Sequence, residues 1–260
     1  MTVTIAVAGK GGTGKTTFIA LLIKWLREQN AGTILAIDGD PSANLHWALG
    51  MPMYETIGHI REETTALVSS GTYNVSIPKT DYLEYRIHES LVEGDGIDLI
   101  AMGRPEGPGC YCAANNILRM VIDRLGNQYD YVVIDNEAGM EHISRQTTRY
   151  VDILFILTDV TMRGLMAVEE ILKMQKELDT RFGQVYLVLN RSTGPLPAVL
   201  ANKIKELGVE LIGTLPNDPT VSEFDAVGRP LIEMPEDAPI VHAVGDIGRK
   251  AGVASKAGSH

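Results

Sequence analysis

The sequence is poor in cysteine and in basic residues, and it has no long apolar run. Its 260 residues include only two cysteines, and 23 lysines and arginines stand against 33 aspartates and glutamates, which gives a formal net charge of −10 at pH 7. A surface this acidic repels phosphate backbones, so nucleic acid is not expected as a partner. No stretch approaches the roughly 18 consecutive apolar residues of a membrane span, so no membrane association is expected either.

The start of the chain also lacks the pattern of a secretory signal. Thr2–Ala8 run directly into a glycine-rich segment, without a charged region followed by an apolar one. Cys110 and Cys112 are too close together to close a long loop by a disulfide, and in a reducing compartment they would be thiols or metal ligands. The chain is therefore predicted to be cytoplasmic. Residues 1–256 are expected to form one domain, and residues 257–260 a tail of the kind that cloning adds.

Short apolar runs alternate with amphipathic stretches along the whole chain. Some runs, such as Val132–Ile134, are apolar on both faces, which is typical of parallel strands covered by helices on both sides. This alternation predicts a single-domain α/β fold with a mainly parallel, doubly wound sheet. The predicted strands are 2–8, 33–38, 96–102, 131–135, 152–158, 185–190 and 209–215, and the predicted helices are 16–29, 113–125, 165–178, 198–207, 220–227 and 240–249.

A glycine-rich loop follows the first predicted strand and opens the first predicted helix. Residues 9–16 fit the P-loop pattern G-x-x-x-x-G-K-[ST], in which backbone N–H groups and a helix N-terminus hold phosphate oxygens. Lys15 is expected to reach the β- and γ-phosphates, and the Thr16 hydroxyl to bind Mg²⁺. A glycine-rich turn without a ligand is the alternative. The predicted nucleotide-binding residues of this loop are Gly9, Lys10, Gly11, Gly12, Thr13, Gly14, Lys15, Thr16 and Thr17.

A second lysine follows the first glycine of this loop. Lys10, together with Lys15, resembles the deviant Walker A motif of the MinD, ParA, NifH and ArsA group of ATPases. The resemblance implies a homodimer closed by ATP, in which Lys10 reaches the phosphates bound to the partner subunit. Both lysines are therefore candidate catalytic residues. The alternative for Lys10 is an ordinary surface lysine.

Carboxylates stand where two of the predicted strands end. Asp38 and Asp40 end the second strand and Asp135 ends the fourth, which places them at the C-terminal edge of the sheet, where open α/β folds bind ligands. Asp135 fits a Walker B aspartate that holds Mg²⁺ through water. The resemblance implies that Asp40 positions or activates the attacking water and that Asp38 supports the Mg²⁺ shell. A capped turn is the alternative for Asp40.

The end of the sixth predicted strand bears on which base is bound. Guanine-reading P-loop proteins have N-K-x-D there, whereas this chain reads N-R-S-T from residue 190 and lacks the aspartate. ATP and ADP are therefore favoured over guanine nucleotides. The family resemblance implies that Asn190 contacts the base and that Pro216 and Asp218 line its other side. Two ordinary loops at the ends of strands are the alternative.

Both cysteines lie in one loop that is rich in glycine and proline. Cys110 and Cys112 precede a predicted helix, whose N-terminus lowers the pKa of a nearby thiol. One C-x-C pair supplies only two ligands, whereas a symmetric dimer with both pairs on its axis supplies four thiolates. Four thiolates suit tetrahedral Zn²⁺ or square-planar Ni²⁺. The alternative is a pair of half-buried thiols.

Taken together, these motifs resemble the CooC-type nickel-insertion ATPases. The resemblance rests on the deviant Walker A loop, the stretch 38–41, the C-x-C pair and the sequence D-N-E-A-G-M-E-H at residues 135–142. Proteins of this type mature carbon-monoxide dehydrogenase and, in a close subgroup, acetyl-CoA synthase. The resemblance implies slow Mg-dependent ATP hydrolysis, closure of a homodimer, Ni²⁺ or Zn²⁺ held between subunits by Cys110 and Cys112, and delivery to the client's nickel-iron-sulfur centre. The roles of Glu137 and His142 stay open.

Other members of the group fit the sequence less well. A MinD-type regulator needs a basic amphipathic helix at its C-terminus, and residues 239–260 have no bulky apolar stripe around their basic residues. A ParA-type partition protein needs a basic surface for DNA. A NifH-type reductase uses two widely separated cysteines, and an ArsA-type ATPase has two copies of the loop. The remaining alternative is a MinD/ParA-like nucleotide switch, or a metal store, that delivers no nickel.

Overall fold

A single twisted sheet organises the part of the chain that the computed structural model describes, which is residues 2–103, 125–136, 150–177 and 180–256. The sheet has seven strands in the order β3-β2-β4-β1-β5-β6-β7, and all neighbouring strands run parallel. This confirms the predicted α/β fold. The strands are β1 (Val3–Gly9), β2 (Ile34–Asp38), β3 (Ile97–Ala101), β4 (Tyr131–Asp135), β5 (Tyr150–Asp159), β6 (Arg181–Ser192) and β7 (Glu210–Pro216).

Helices cover both faces of this sheet. Alternate residues of each strand point to opposite faces, so Ile5 and Val7 of β1 belong to one buried cluster, whereas Ala6 and Ala8 belong to another. The first cluster lies against α1, α2, α7 and α8, and the second against α3 to α6. The helices are α1 (Lys15–Glu28), α2 (Leu45–Leu49), α3 (Ile57–Ser69), α4 (Lys79–Ser90), α5 (Met162–Glu177), α6 (Ala198–Leu207), α7 (Pro219–Ala226), α8 (Pro239–Lys250) and α9 (Val253–Lys256).

Helix α1 is packed tightly against the centre of the sheet. Its Phe18 is fully buried, and the ring lies 5.2 Å from that of Phe155 on β5 in an edge-to-face arrangement. Burying a phenylalanine side chain stabilises the fold by about 1.5–3 kcal/mol. This packing fixes the start of α1 relative to β1, and with it the loop that joins them.

The segment between β2 and β3 contains helices that the sequence did not predict. Helices α3 and α4 are held together by the Arg86 guanidinium, which contacts the carboxylates of Glu55 at 2.9 Å and Glu63 at 2.7 Å. Ile57 and Ile87 of these helices lie in one buried cluster, and the ion pairs add a polar contribution to their pairing. A search for apolar stripes does not detect such a contact, which explains why this region showed only weak helical periodicity.

The bounds of other elements differ from prediction by a few residues. Strand β6 begins at Arg181, four residues before the predicted start, because Arg181 and Phe182 pair with Tyr150 and Val151 of β5 although this end of the strand is polar and half-exposed. The predicted helix 113–125 lies outside the described residues except for its last position. Among the helices that the structure describes, none is both long enough and apolar enough to cross a membrane.

Candidate nucleotide-binding site

The strands bring their carboxyl ends together at one edge of the sheet. Strand β1 ends at Gly9, β2 at Asp38 and β4 at Asp135. In the register of the sheet, Asp38 pairs with Asp135, and Asp135 pairs with Val7 of β1. Both aspartates therefore lie beside the glycine-rich loop, as the sequence predicts for residues that follow parallel strands.

The loop between β1 and α1 uses backbone conformations that favour glycine. Gly12 and Gly14 have φ values of 77° and 88°, in the left-handed region. A Cβ atom on Gly14 would stand 2.3 Å from the side-chain nitrogen of Asn190. Lys15 follows as the first residue of α1, and only 7% of it is exposed. The loop thus places a lysine and the N–H groups of a helix N-terminus next to each other at the start of α1.

A local turn separates Lys10 from this cradle. The Thr13 hydroxyl donates to the Lys10 carbonyl oxygen at 2.8 Å, and the Thr13 N–H donates to the same oxygen at 3.3 Å. The backbone of Lys10 is therefore part of the loop, whereas the residue itself is exposed. A contact of the Lys10 ammonium with phosphates of a partner subunit stays a prediction.

Thr16 and Asp135 form the contact expected at a magnesium site. The Thr16 hydroxyl donates to one Asp135 carboxylate oxygen at 2.6 Å. The other carboxylate oxygen of Asp135 is buried and has no hydrogen-bond partner among the described residues. A buried carboxylate oxygen without a partner is costly, which indicates that a ligand completes its contacts.

Burial shifts the protonation of both strand-end aspartates. The pKa of Asp38 is raised from 3.8 to about 7, first by loss of solvation and then by the nearby Asp135 carboxylate. The pKa of Asp135 is raised to about 6, chiefly by burial, although the Thr16 hydroxyl and the Lys15 ammonium oppose the shift. Two carboxylates in a dry environment favour a bound cation, because a positive charge offsets both the burial and their mutual repulsion.

The donor set fits Mg²⁺. This ion prefers oxygen ligands and is commonly bound through one or two carboxylates, waters and the phosphates of a substrate. Thr16 and Asp135 supply a hydroxyl and a free carboxylate oxygen. No group of three or more His, Cys, Asp or Glu side chains within the described ranges could hold a metal by itself. The site therefore fits an ion that a nucleotide brings with it.

Asp38 and Asp40 organise the segment that follows β2. One Asp38 oxygen accepts from the Asp40 N–H at 3.1 Å, and the other accepts from the Leu45 N–H at 2.8 Å. Asp40 in turn accepts from the Ser42 N–H at 2.8 Å, which is the capped turn considered as its alternative reading. Asp38 thus connects the start of α2 to the edge of the sheet, and a magnesium role for Asp38 and a water-positioning role for Asp40 stay predictions.

The residues predicted to surround the base have structural partners here. The Asn190 side chain donates to the Thr13 carbonyl oxygen at 2.8 Å, so it supports the phosphate loop directly. Asp218 caps α7 by accepting from the Thr220 N–H at 3.0 Å and also accepts from the Ile240 N–H at 3.2 Å. Pro216 ends β7 at the same edge of the sheet. Contacts of these three residues with a base stay predictions.

Two features of the site were not found from the sequence. Asn136 is buried, and its side chain donates to the Val7 carbonyl oxygen at 2.9 Å, which holds the end of β1 in place. A cavity of about 400 Å³ opens beside Thr16 and Thr17 and extends to Trp47 and Arg229. The role of Asn136 could have been inferred from its position directly after the Walker B aspartate. The cavity could not, because the residues that line it are far apart in the chain and no local sequence pattern marks them.

Four residues singled out in the sequence lie outside the described residues. They are Cys110, Cys112, Glu137 and His142. The two cysteines therefore stay predicted metal ligands, and the roles of the other two residues stay open.

The parallel sheet, the glycine-rich loop after its central strand and the paired Thr16 and Asp135 define a P-loop nucleoside triphosphatase fold. The family model of the CobQ/CobB/MinD/ParA nucleotide binding domain matches residues 4–231. The chain belongs to this family, and it is an ATP-binding protein of the MinD/ParA type.

Relatives of the chain support this assignment along nearly its whole length. An uncharacterized ATP-binding protein of Methanocaldococcus jannaschii is 45% identical over 246 residues, which cover 95% of this chain and 97% of the relative. The carbon monoxide dehydrogenase accessory protein CooC of Rhodospirillum rubrum is 30% identical over 237 residues, which cover 86% and 87%. The structure of the septum site-determining protein MinD with Mg-ADP, from Pyrococcus horikoshii, superposes with a TM-score of 0.70 at 21% identity and covers 98% of this chain and 100% of that one.

Replacing Asp135 with asparagine should make the metal-free protein more stable at pH 7.5 while removing the extra stability that MgATP gives. The folded protein binds a proton at Asp135 more tightly than the unfolded chain does, with a pKa of about 6 against 3.8. The resulting penalty is absent below about pH 4, develops as the pH rises to about 6 and is complete above it, where it is on the order of 3 kcal/mol. Thermal unfolding at pH 5 and pH 7.5, with and without MgATP, measures both effects.

Asp218→Asn is the matched control for this change, because it also neutralises a buried carboxylate. Both Asp218 oxygens accept backbone N–H groups, and an amide can replace only one of them. The control should therefore lose stability, by about 1 kcal/mol. If Asp135→Asn destabilises the metal-free protein as much as the control does, then the buried charge of Asp135 is not the source of the penalty.

Proposed function

We propose that the protein is an ATP-hydrolysing metallochaperone that inserts nickel into a carbon-monoxide dehydrogenase or acetyl-CoA synthase. ATP closes a homodimer, and closure controls a Ni²⁺ site that Cys110 and Cys112 of both subunits form. The observation that carries the proposal is the 30% identity to a carbon monoxide dehydrogenase accessory protein over 86% of the chain. The C-x-C pair adds weight, because it contains both cysteines of the sequence.

Hydrolysis is assigned to the edge of the sheet where the phosphate loop begins. Lys15 and the N–H groups at the start of α1 would hold the phosphates, and Thr16 and Asp135 would hold Mg²⁺, which would offset charge on the phosphate oxygens. Asp40 orients the attacking water. Water adds to the γ-phosphorus as the bond to the β-phosphate oxygen breaks, and the proton of the water leaves with phosphate. ADP and phosphate are the products.

The segment after β2 offers a route from the nucleotide to the rest of the subunit. Asp38 holds both the Asp40 N–H and the Leu45 N–H at the start of α2. A change in the contacts of Asp40 during hydrolysis would therefore reach α2 through the Asp38 carboxylate, which accepts a hydrogen bond from each of these two N–H groups. Opening of the dimer after hydrolysis would separate the two cysteine pairs and release the metal to the client enzyme.

A nucleotide switch without nickel delivery is the second candidate. The family model covers the nucleotide-binding domain alone, and the relative at 45% identity is described only as an ATP-binding protein. In that case ATP would still close the dimer, and the cysteines would be ordinary thiols. The two candidates therefore differ in metal binding and agree on nucleotide binding.

A nickel titration of the reduced, metal-free protein distinguishes the two candidates. We expect a thiolate-to-nickel absorption band in the ultraviolet that saturates at one Ni²⁺ per two chains, because each dimer has one set of four thiolates. The molar mass, measured by size exclusion with light scattering, should double in MgATP. Because Cys110 and Cys112 are the only cysteines, the band can come from no other thiolate.

Two variants make the titration specific. Cys112→Ser should lose the band and the stoichiometric metal, and should keep MgATP binding. His59→Ala removes an exposed imidazole, the other common nickel ligand, and should leave band and stoichiometry unchanged. A doubled mass in MgATP without any nickel band would overturn the metallochaperone proposal in favour of the switch.

A further inference from the structure

A second cavity lies on the outer flank of the phosphate loop. It measures about 350 Å³ and lies between the loop, the end of β5 and the first turn of α5. Its lining includes Lys10, Arg163 and Arg191 as cations and Asp159 as a carboxylate. The Asp159 carboxylate accepts a hydrogen bond from the Thr161 hydroxyl at 2.7 Å. The cavity is therefore predominantly cationic.

A buried hydroxyl without a partner lies in the wall of this cavity. Thr158 is 2% exposed, and its hydroxyl oxygen has no hydrogen-bond partner among the described residues. A Cβ atom built on Gly164 would stand 2.3 Å from this oxygen, so the hydroxyl lies beneath the first turn of α5. Buried polar groups normally have a partner, which makes this wall of the cavity a polar one.

The start of α5 adds to the attraction for an anion. This 16-residue helix begins at Met162, and the partial positive charge of its N-terminus remains although the Gly164 N–H already donates to the Thr161 hydroxyl at 3.0 Å. Gly164 brings the first turn close to β5, since a Cβ atom at this position would stand 2.3 Å from the Thr158 hydroxyl and 2.2 Å from the Asp159 carboxylate. Only a glycine therefore allows the first turn of α5 to lie so close to the end of β5.

No ion pair among the described residues neutralises the cations of the cavity. Within the described ranges, neither Lys10 nor Arg163 nor Arg191 lies within ion-pair distance of a carboxylate. Three exposed cations around one cavity make this part of the surface positive in a chain of net charge −10, which favours binding of an anion.

The cavity borders the phosphate loop but does not contain its magnesium site. Gly11, Gly12 and Thr13 of the loop line it, whereas Lys15, Thr16 and Asp135, which are assigned to the β- and γ-phosphates and to Mg²⁺, are not among the described residues that line it. Lys10 does line it, and Lys10 is the residue proposed to reach the partner's phosphates. In a two-fold symmetric dimer, residues beside Lys10 face the same part of the partner as Lys10 does.

We propose that Arg163 binds the phosphates of the ATP held by the partner subunit, so that each nucleotide is contacted by Lys10 and Arg163 in trans. This inference rests on the proposed ATP-closed homodimer. The start of α5 lies beside the same phosphate oxygens and assists the guanidinium. An arginine supplied in trans raises phosphoryl-transfer turnover by roughly 10³–10⁵-fold in other P-loop proteins.

Arg163→Ala tests the role of the guanidinium. We expect ATP turnover at least about 100-fold below that of the wild type, with binding of MgATP to the monomer unchanged. Arg163→Lys keeps the charge but not the planar fork of donors, so its turnover should lie between the two. Lys176→Ala removes an exposed cation from the other end of α5, roughly 20 Å away, and should match the wild type.

A mixing experiment distinguishes action in trans from action within one subunit. Arg163→Ala and Asp40→Ala are each expected to be inactive alone. In a heterodimer of the two, one site combines an intact Asp40 with Arg163 from the other subunit. Random mixing makes half of the dimers heterodimers, and each heterodimer has one complete site out of two. Turnover should therefore recover to about a quarter of the wild-type value. Recovery also shows that both variants are folded.

The outcomes separate this inference from the proposed function. If the wild type neither dimerises in MgATP nor hydrolyses it, the proposed function fails. If the wild type does both and Arg163→Ala matches it, Arg163 has no role and the inference is wrong. No recovery on mixing places Arg163 in its own subunit's site. If inorganic phosphate binds the wild-type monomer and not Arg163→Ala, and mixing restores nothing, the cavity takes a free anion instead of the partner's nucleotide.

Discussion

Replacing Lys15 with alanine should weaken MgATP binding at least about 100-fold and abolish hydrolysis, because a charged hydrogen-bond partner of the phosphates is lost from a buried position. Lys15 is only 7% exposed and opens α1 within the phosphate loop. It also lies close enough to Asp135 to lower the pKa of that carboxyl. Titration calorimetry with MgATP and release of phosphate measure the two losses.

Lys24→Ala is the matched control for this variant. Lys24 belongs to the same helix and pairs with Glu28 at 2.7 Å, four residues on along its surface. Removing it should change the free energy of unfolding by less than about 1 kcal/mol and leave nucleotide binding intact. Turnover by Lys15→Ala at the wild-type rate would mean that the loop does not hold the phosphates.

The nucleotide loop and the strand-end aspartates could be predicted because their signals are local. The pattern of residues 9–16 fixes a glycine-rich turn before a helix, and an aspartate after an apolar run fixes its place at the edge of a parallel sheet. The contact of Thr16 with Asp135 follows once α1 packs against the sheet beside the end of β4. The architecture and the position of the site were therefore within reach of the sequence.

The partners of side chains at the rim of the site could not be predicted in the same way. Asn190 contacts the Thr13 carbonyl oxygen and Asp218 contacts the Ile240 N–H, across 177 and 22 residues of chain. Such contacts depend on how the loops after β6 and β7 pack, which no local pattern encodes. The pairing of α3 with α4 through Arg86 is a similar case, since ion pairs leave no apolar periodicity.

Replacing Lys10 with alanine should abolish ATP-dependent dimerisation and leave binding of MgATP to each subunit nearly unchanged. The Lys10 carbonyl oxygen holds the turn of the loop through Thr13, and an alanine keeps that oxygen. The side chain is exposed and has no ion pair within the described ranges, so its removal should not disturb the fold. In a two-fold symmetric dimer each subunit loses one cation, so two contacts between the subunits are lost and the dimer dissociates more readily.

The measurement is molar mass by light scattering in an Asp40→Ala background, in which the expected loss of hydrolysis keeps ATP bound. The measurement uses a protein concentration at which the background variant is fully dimeric. At that concentration, the background carrying Lys10→Ala should be a monomer. Lys79→Ala removes an exposed lysine at the start of α4 and should give a dimer. If Lys10→Ala dimerises as the background does, ATP does not close the subunits through this loop. Arg163, which lines the same cavity, would then have no partner nucleotide to contact. The four-thiolate metal site would then require a dimer that forms through another surface.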